Sequence, residues 1–311
     1  MKKYILKRAL FSIATILLVL LTTFILMNLI PGTPFYNDKS TPEQIQQAEI
    51  KYGLDKPLIV QFFKYVINYL KGDFGVSLNL QRGVDVSEIL FRQGKFELSI
   101  RLGVIALFIS CVVGIVLGTL SATFKNKIAD LIIRGLASFG TSMPIFVVAG
   151  ILINYLSINL SWLPSISGEL KTPASYIMPL LTLSFYYSCC IAKIMRASML
   201  DTLSKDYIKI LRARGVSKKS IIFKHAVKNS LNPIVTYTGQ LLIGLITGSF
   251  VVESVFLIPG MSRYFIQSIL SRDYPIIMAT TFIYATLVII INITVDLIYK
   301  LLDPRIDLSK P

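Results

Sequence analysis

RASMLDTLSKDYIKILRARGVSKKSIIFKHAVKNSLN, residues 196–232, is the stretch from which the fold is read. It is polar and basic, and an apolar run long enough to cross a bilayer lies on each side of it. From Lys193 to Lys228 there are ten Lys and Arg against Asp201 and Asp206, a net of +8. Such a segment cannot lie in hydrocarbon, so it must emerge on one side of a membrane.

Outward from it, six uncharged windows are each long enough to span about 30 Å of hydrocarbon. They are Ala9–Ile30, Leu102–Phe124, Leu136–Leu160, Thr172–Ala192, Asn229–Val252 and Tyr274–Val295. Mean hydropathy is +0.66 and charged residues make up 16% of the chain, which excludes an ordinary soluble domain. The expectation is an all-α membrane protein of six transmembrane helices.

The net charge of +15 would by itself raise nucleic-acid binding, but its placement argues against that. Lys2, Lys3, Lys7 and Arg8 give +4, the turn at Lys125–Arg134 gives +2, and residues 193–228 give +8. With six crossings all three fall on one side, the positive-inside pattern, which puts both termini in the cytoplasm. Residues 31–97, on the other side, carry eight acids and eight bases. The first apolar run is too long for a cleaved signal and has no A-x-A-like site after it, so it reads as a retained helix.

Along the chain, Thr41-Pro42-Glu43 opens one short helix that Gly53 stops, and Pro57 opens a second. The second carries Leu58, Phe62, Tyr65, Val66 and Tyr69 on one side, a pattern suited to the membrane surface. Gly114 and Gly118, and again Gly244 and Gly248, allow close helix approach. Pro144 and Pro179 should kink or open their helices. Trp162 fits an interfacial anchor. Residues 261–271 form a short helix after the Pro259-Gly260 turn. Cys111, Cys189 and Cys190 lack metal-ligand spacing and read as packing residues.

Enzyme chemistry is missing. Gly94-Lys95 is followed by Phe96, so there is no phosphate-binding loop; His225 is the one histidine, and no nucleophile–base pair is spaced for catalysis. No catalytic residue, metal site or bound cofactor is assigned. Transport is the default for such a chain. A proton-coupled carrier needs a mid-membrane carboxylate, and the candidates Glu253 and Asp296 fall at helix ends. A non-transporting scaffold is the blander alternative. In the basic stretch, Leu200, Leu203, Tyr207, Ile210 and Leu211 follow helical spacing, Gly215 ends that helix, and Ser217 caps a second one over Lys218–Asn229. Two short helices about a glycine bend make a knob suited to docking on a partner protein.

These residues also resemble a family. Asp206–Gly215 (DYIKILRARG) followed by His225–Pro233 (HAVKNSLNP) is similar to the cytoplasmic coupling loop of binding-protein-dependent ABC importer permeases of the peptide/nickel branch. Further motifs run through the chain: Pro31-Gly-Thr-Pro34, Tyr52-Gly-Leu-Asp-Lys-Pro57, Gly72-Asp-Phe-Gly-Val-Ser77, Arg196-Ala-Ser-Met199, Gly248–Glu253, Ile258-Pro-Gly260, Arg272-Asp-Tyr274 and Asp303-Pro-Arg305. The first two look most like the B permease subunit of oligopeptide importers.

The resemblance implies a type I ABC importer permease in a bacterial plasma (inner) membrane. It would form half of an oligopeptide pathway; related permeases carry dipeptides, nickel chelates or opines. Implied partners are a second permease, two ATP-binding subunits that hold ATP and Mg, an external or periplasmic binding protein and membrane lipid, with no nucleic acid. Implied domains are 1–95 (first helix and external loop), 96–303 (the transmembrane domain, coupling loop 196–232) and a cytoplasmic tail, 304–311. ATPase coupling falls on Tyr207, Leu211, Ala213, Gly215, His225 and Asn229. The outer loop or gate falls on Glu253, Pro259, Gly260, Arg272 and Asp273. One departure stands out: where the broader family motif has Glu-Ala-Ala, this chain has Lys209, Ile210 and Leu211, a bulky residue in place of a small one.

Overall fold

The computed structural model describes residues 2–29, 55–164, 172–248 and 250–302, with positions 43, 50 and 53. The helix expected from Thr41 and the motifs at Pro31–Pro34 and Asp303–Arg305 lie outside the described residues. What is described is helical. In chain order the elements are α1 (Lys2–Leu29), α2 (Leu58–Leu70), α3 (Lys95–Thr123), α4 (Ile128–Ser142), α5 (Ile145–Leu152), α6 (Pro173–Ser204), α7 (Asp206–Ala213), α8 (residues 218–230), α9 (Asn232–Gly248), α10 (Phe250–Val255), α11 (Met261–Leu270) and α12 (Tyr274–Leu302). Five segments are long and apolar enough to cross a membrane, and α4 with the α5 segment makes a sixth if counted as one broken span.

That broken span is the clearest local effect of sequence. Met143 is extended (φ −82°, ψ 128°), because the ring of Pro144 excludes the residue before it from helical geometry. The two halves meet at 106°. Pro179 behaves differently. It is buried inside α6, which continues unbroken for 32 residues to Ser204. At 1.5 Å per residue that is about 48 Å, well beyond the hydrocarbon thickness.

Contacts divide the described chain into two units, one of residues up to Ser99 with Pro259–Ile290, the other of Ile100–Ile258 with residues 291–302. In the first, Phe24 of α1 meets Phe62 and Tyr65 of α2 at 5.7 and 6.2 Å between ring centroids, and Tyr69 meets Phe282 of α12 at 5.4 Å. The aromatic side of α2, expected at the membrane surface, is therefore spent on protein packing. Its opposite side, with Ile59, Phe63 and Ile67, is the exposed one, and Leu58 at the helix start is exposed as well. Polar groups on α1 bond to its own backbone: Thr15, Thr22 and Asn28 donate to carbonyls four residues back at 2.8–2.9 Å, as a lipid-facing helix requires.

In the second unit α6 is central. Ile191, Met195 and Met199 are wholly buried in one cluster with Ala122, Ile222, Ala226 and Leu241. A Cβ at Gly114 would stand 2.6 Å from the Ile191 Cβ, and one at Gly118 would stand 2.6 Å from the Ala192 carbonyl and the Met195 Cβ. The first pair of spaced glycines therefore exists to admit α6. Gly140 of α4 meets it too: an added Cβ there would collide with the sulfur of the buried Cys189.

Candidate functional site

The expected stripe from Leu200 to Leu211 presumes one helix. Instead α6 stops at Ser204 and Lys205 is extended (φ −66°, ψ 149°) before α7 begins. Leu200 and Leu203 consequently stay with the α6 core, and the residue of α7 that is wholly buried is Ile208, which the stripe omits. Two polar contacts fix the knob to its base. Asn229 Nδ2 donates to the Tyr207 hydroxyl at 2.8 Å, joining α8 to α7. Ser230 Oγ donates to Thr202 Oγ1 at 3.0 Å, and Ser198 Oγ donates to the Ser230 carbonyl at 3.0 Å, joining α8 to α6.

At the end of α7, Gly215 has φ +78°. Its N–H donates to the Arg212 carbonyl (3.0 Å) and the Val216 N–H to the Leu211 carbonyl (3.1 Å), the paired bonds of a Schellman cap. Ser217 then caps α8, accepting the Ser220 N–H at 3.4 Å. Ala213 and Gly215 are exposed, as is Ile210; Leu211 and His225 are half-buried. The bulky Leu211 is thus turned partly inward, and the apolar side chains offered to solvent are Ile210 (54% exposed) and Phe223 (68%). Between α6, α7, α8 and the end of α3 is a cavity of about 670 Å³ lined by Leu203, Arg212, Val216, Lys218, Ile221 and Ile222 among others.

A second constellation was not anticipated from the sequence. Asp130, in the first turn of α4, is completely buried. Arg196 of α6 donates to both of its oxygens, Nε to Oδ1 at 2.8 Å and Nη2 to Oδ2 at 2.9 Å. Ser121 Oγ donates to Oδ1 at 2.5 Å, the Asn126 N–H donates to Oδ2 at 2.9 Å, and Arg134 Nε approaches Oδ1 to 3.6 Å. The turn between α3 and α4 is thereby clamped to the helix that carries the knob. The available signal was an acid three residues into an apolar helix, which charge counting had absorbed.

The remaining predicted residues lie on α10 or at the two ends of α11. Asp273 accepts from Ser77 Oγ (2.5 Å) and from the N–H groups of Leu78, Asn79 and Leu80 (3.1, 2.9 and 2.9 Å). Arg272 is in the left-handed region (φ +56°), closing α11 with the same cap pattern as α7. Gly260 precedes α11, whose first N–H, from Met261, donates to Ser99 Oγ at 2.9 Å. Glu253 is wholly buried on α10, and its carbonyl accepts the Ile258 N–H at 2.8 Å. Asp273 therefore holds a loop closed. Among the described residues no three His, Cys, Asp or Glu gather as a metal site would require.

A helical membrane unit with a broken third span and a short helix pair between two spans is the architecture of an ABC transporter's membrane subunit. Solved structures share it. The methionine ABC transporter MetNI in inward-facing form matches with a TM-score of 0.55 at 17% identity, covering 69% of this chain and 96% of that one. An amino acid ABC transporter with histidines matches at 0.53 and 16%, covering 67% and 92%. The fold is that of the type I importer permeases.

Residues 114–308 match the family described as binding-protein-dependent transport system inner membrane component, and residues 1–78 match its N-terminal counterpart. The chain belongs to that family: it is a multi-pass permease subunit of an ABC importer. Its relatives include the dipeptide transport system permease protein DppB of Bacillus subtilis (strain 168), 40% identical over 100% of this chain and 99% of that protein. The oligopeptide transport system permease protein OppB of Haemophilus influenzae is 38% identical over 98% and 99%. OppB of Escherichia coli (strain K12) is 34% identical over the same shares.

Proposed function

We propose that this chain forms half of the membrane pathway of a short-peptide importer, with residues 206–230 as the point where a partner ATPase moves it. The observation that carries the coupling role is the Gly215 cap. It presents Ile210, Ala213 and Phe223 outward while Tyr207–Asn229 and Thr202–Ser230 tie the same two helices to α6. Force applied to the knob is therefore delivered to the helix against which α3 and α4 pack. The peptide substrate rests on the names of the relatives, and dipeptide and oligopeptide permeases are similarly close at 40% and 38%.

The charge placement supports both ends and residues 206–230 on the cytoplasmic side. The complex in this reading contains a second permease, two ATP-binding subunits supplying ATP and Mg, and an external binding protein; this chain holds no cofactor. Glu253, Pro259, Gly260, Arg272 and Asp273 belong to the outer face, where Asp273 keeps a loop in shape. Domain limits of 1–95, 96–303 and 304–311 go with it.

The test is peptide uptake and ATP hydrolysis by the complete importer in vesicles, with and without a hydrolysis-deficient ATPase partner. Uptake must stop in the deficient complex. Uptake by this chain alone, driven by a pH gradient, would overturn the reading in favour of a carrier.

A further inference from the structure

A cavity of about 260 Å³ lies between α2 and the loop that follows it, lined among others by Lys64, Tyr65, Tyr69, Asp73, Phe74 and Asp85. Its back wall is aromatic: Tyr69 stands 6.0 Å from Tyr65 and 5.3 Å from Phe74, centroid to centroid. Its charged side chains are exposed at the mouth, two carboxylates to one ammonium. Asp73 Oδ1 accepts the Gly75 N–H at 2.9 Å; the Asp85 carboxylate has no hydrogen bond or ion pair among the described residues.

Tyr69 is only 5% exposed, and its hydroxyl has no partner among the described residues. A buried hydroxyl left unmet is costly, and a bound polar group that meets it relieves that cost. Burial raises the pKa of both Tyr65 and Tyr69, so the two phenols stay neutral and keep their hydrogen-bonding protons.

We propose that this cavity binds the ammonium-bearing end of a short peptide, as a subsite on the outer side of the permease. Excess carboxylate selects a cation, and three aromatic side chains in the lining suit an ammonium group further. Size sets the ligand. Cavities that enclose a drug-sized molecule run from about 300 Å³ upward, so this one takes a terminal group and leaves the rest of the chain outside. The assignment rests on the peptide-import reading above. The same ammonium chemistry occurs in phosphatidylethanolamine headgroups, so the test is made in lipid without amines.

The two permeases with their ATP-binding subunits, without the external binding protein, are reconstituted in phosphatidylglycerol nanodiscs, and binding of trialanine and N-acetyl-trialanine is followed by saturation-transfer NMR. Trialanine should bind and its acetylated form should not. Asp73→Asn with Asp85→Asn should weaken trialanine binding by about tenfold or more, as loss of charge-assisted contacts does, while Asp85→Glu retains it. Adding phosphatidylethanolamine should leave trialanine binding by the wild type unchanged; displacement of trialanine by it would assign the site to the lipid headgroup and overturn the peptide assignment. Equal binding of both peptides, or undiminished binding in the double variant, would overturn the site. Absence of peptide uptake by the wild-type importer would instead overturn the substrate reading.

Discussion

Arg196 grips both carboxylate oxygens of Asp130, at 2.8 and 2.9 Å, from a helix 66 residues further along the chain. The Asp130 side chain is fully buried and that of Arg196 is 20% exposed. Breaking a buried pair by removing one partner costs about 3–5 kcal/mol, and partial exposure of Arg196 places this one near the lower end. Arg196→Ala and Asp130→Ala should each lower the melting temperature of the purified complex by several degrees, with the double variant no worse than the worse single. Arg196→Lys, which keeps the charge without the two-pronged geometry, should recover only part of the loss. Additive effects in the double variant would show that the two residues act separately.

The bend at Gly215 gives a prediction about coupling. A Cβ added there would meet nothing within 4 Å, so any penalty comes from the backbone at φ +78°. Asn tolerates that region, Ala pays about 1 kcal/mol, and a β-branched residue pays more. Gly215→Asn should therefore keep ATP-driven uptake, while Gly215→Val should reduce it without changing membrane insertion. The readout is uptake per ATP hydrolysed, beside the amount of permease in the membrane. Equal coupling in Asn and Val variants would remove Gly215 from the transmission path.

Some of this was legible in the chain and some was not, for physical reasons. Gly215 followed by Ser217 announced a cap and a new start, because both signals are local backbone chemistry. Gly114 and Gly118 announced a close approach, but Ile191 and Met195 could not be named as its partners, since facing depends on helix rotation. Pro144 and Pro179 carry the same local constraint, yet only Pro144 breaks its helix; Pro179 sits in a buried stretch with Met178 and Leu183. Ile208 escapes a reading by periodicity because the extended Lys205 breaks the helix and resets the apolar face of α7. Asp130 and Arg196 were counted as topology charges, since charge counting is blind to pairing between distant segments.

Asp273 should act on the loop at residues 77–80 through its four accepted hydrogen bonds. Bonds to a charged acceptor contribute about 1.5–3 kcal/mol each when the partner is left unmet. Asp273→Ala strands three backbone N–H groups and should make residues 77–82 readily cleaved in limited proteolysis of the reconstituted complex. Ser77→Ala removes one donor to Asp273 and the acceptor of the Gln81 N–H (2.9 Å) but leaves the three backbone donors to Asp273 satisfied, so cleavage should rise less than in Asp273→Ala. Identical cleavage in Asp273→Ala and wild type would mean that the loop is held by other contacts.

The glycines of the transmembrane helices supply a paired test of how α6 is packed. At Gly114 an added Cβ would lie 2.6 Å from one side-chain carbon of Ile191 and 2.8 Å from the Ser188 carbonyl, neither of which can swing away as the tip of a flexible side chain could. Gly114→Ala must push α3 off α6, and overpacking of this kind costs about 1–3 kcal/mol. Gly135, on α4, has nothing within 4 Å of its would-be Cβ and no positive φ. Gly135→Ala should accordingly be neutral or gain about 0.5–1 kcal/mol from the better helix former. Thermal melts of the two variants in the same detergent check both directions at once. A Gly114→Ala protein as stable as Gly135→Ala would mean that α3 and α6 do not meet as closely as the glycine contacts require.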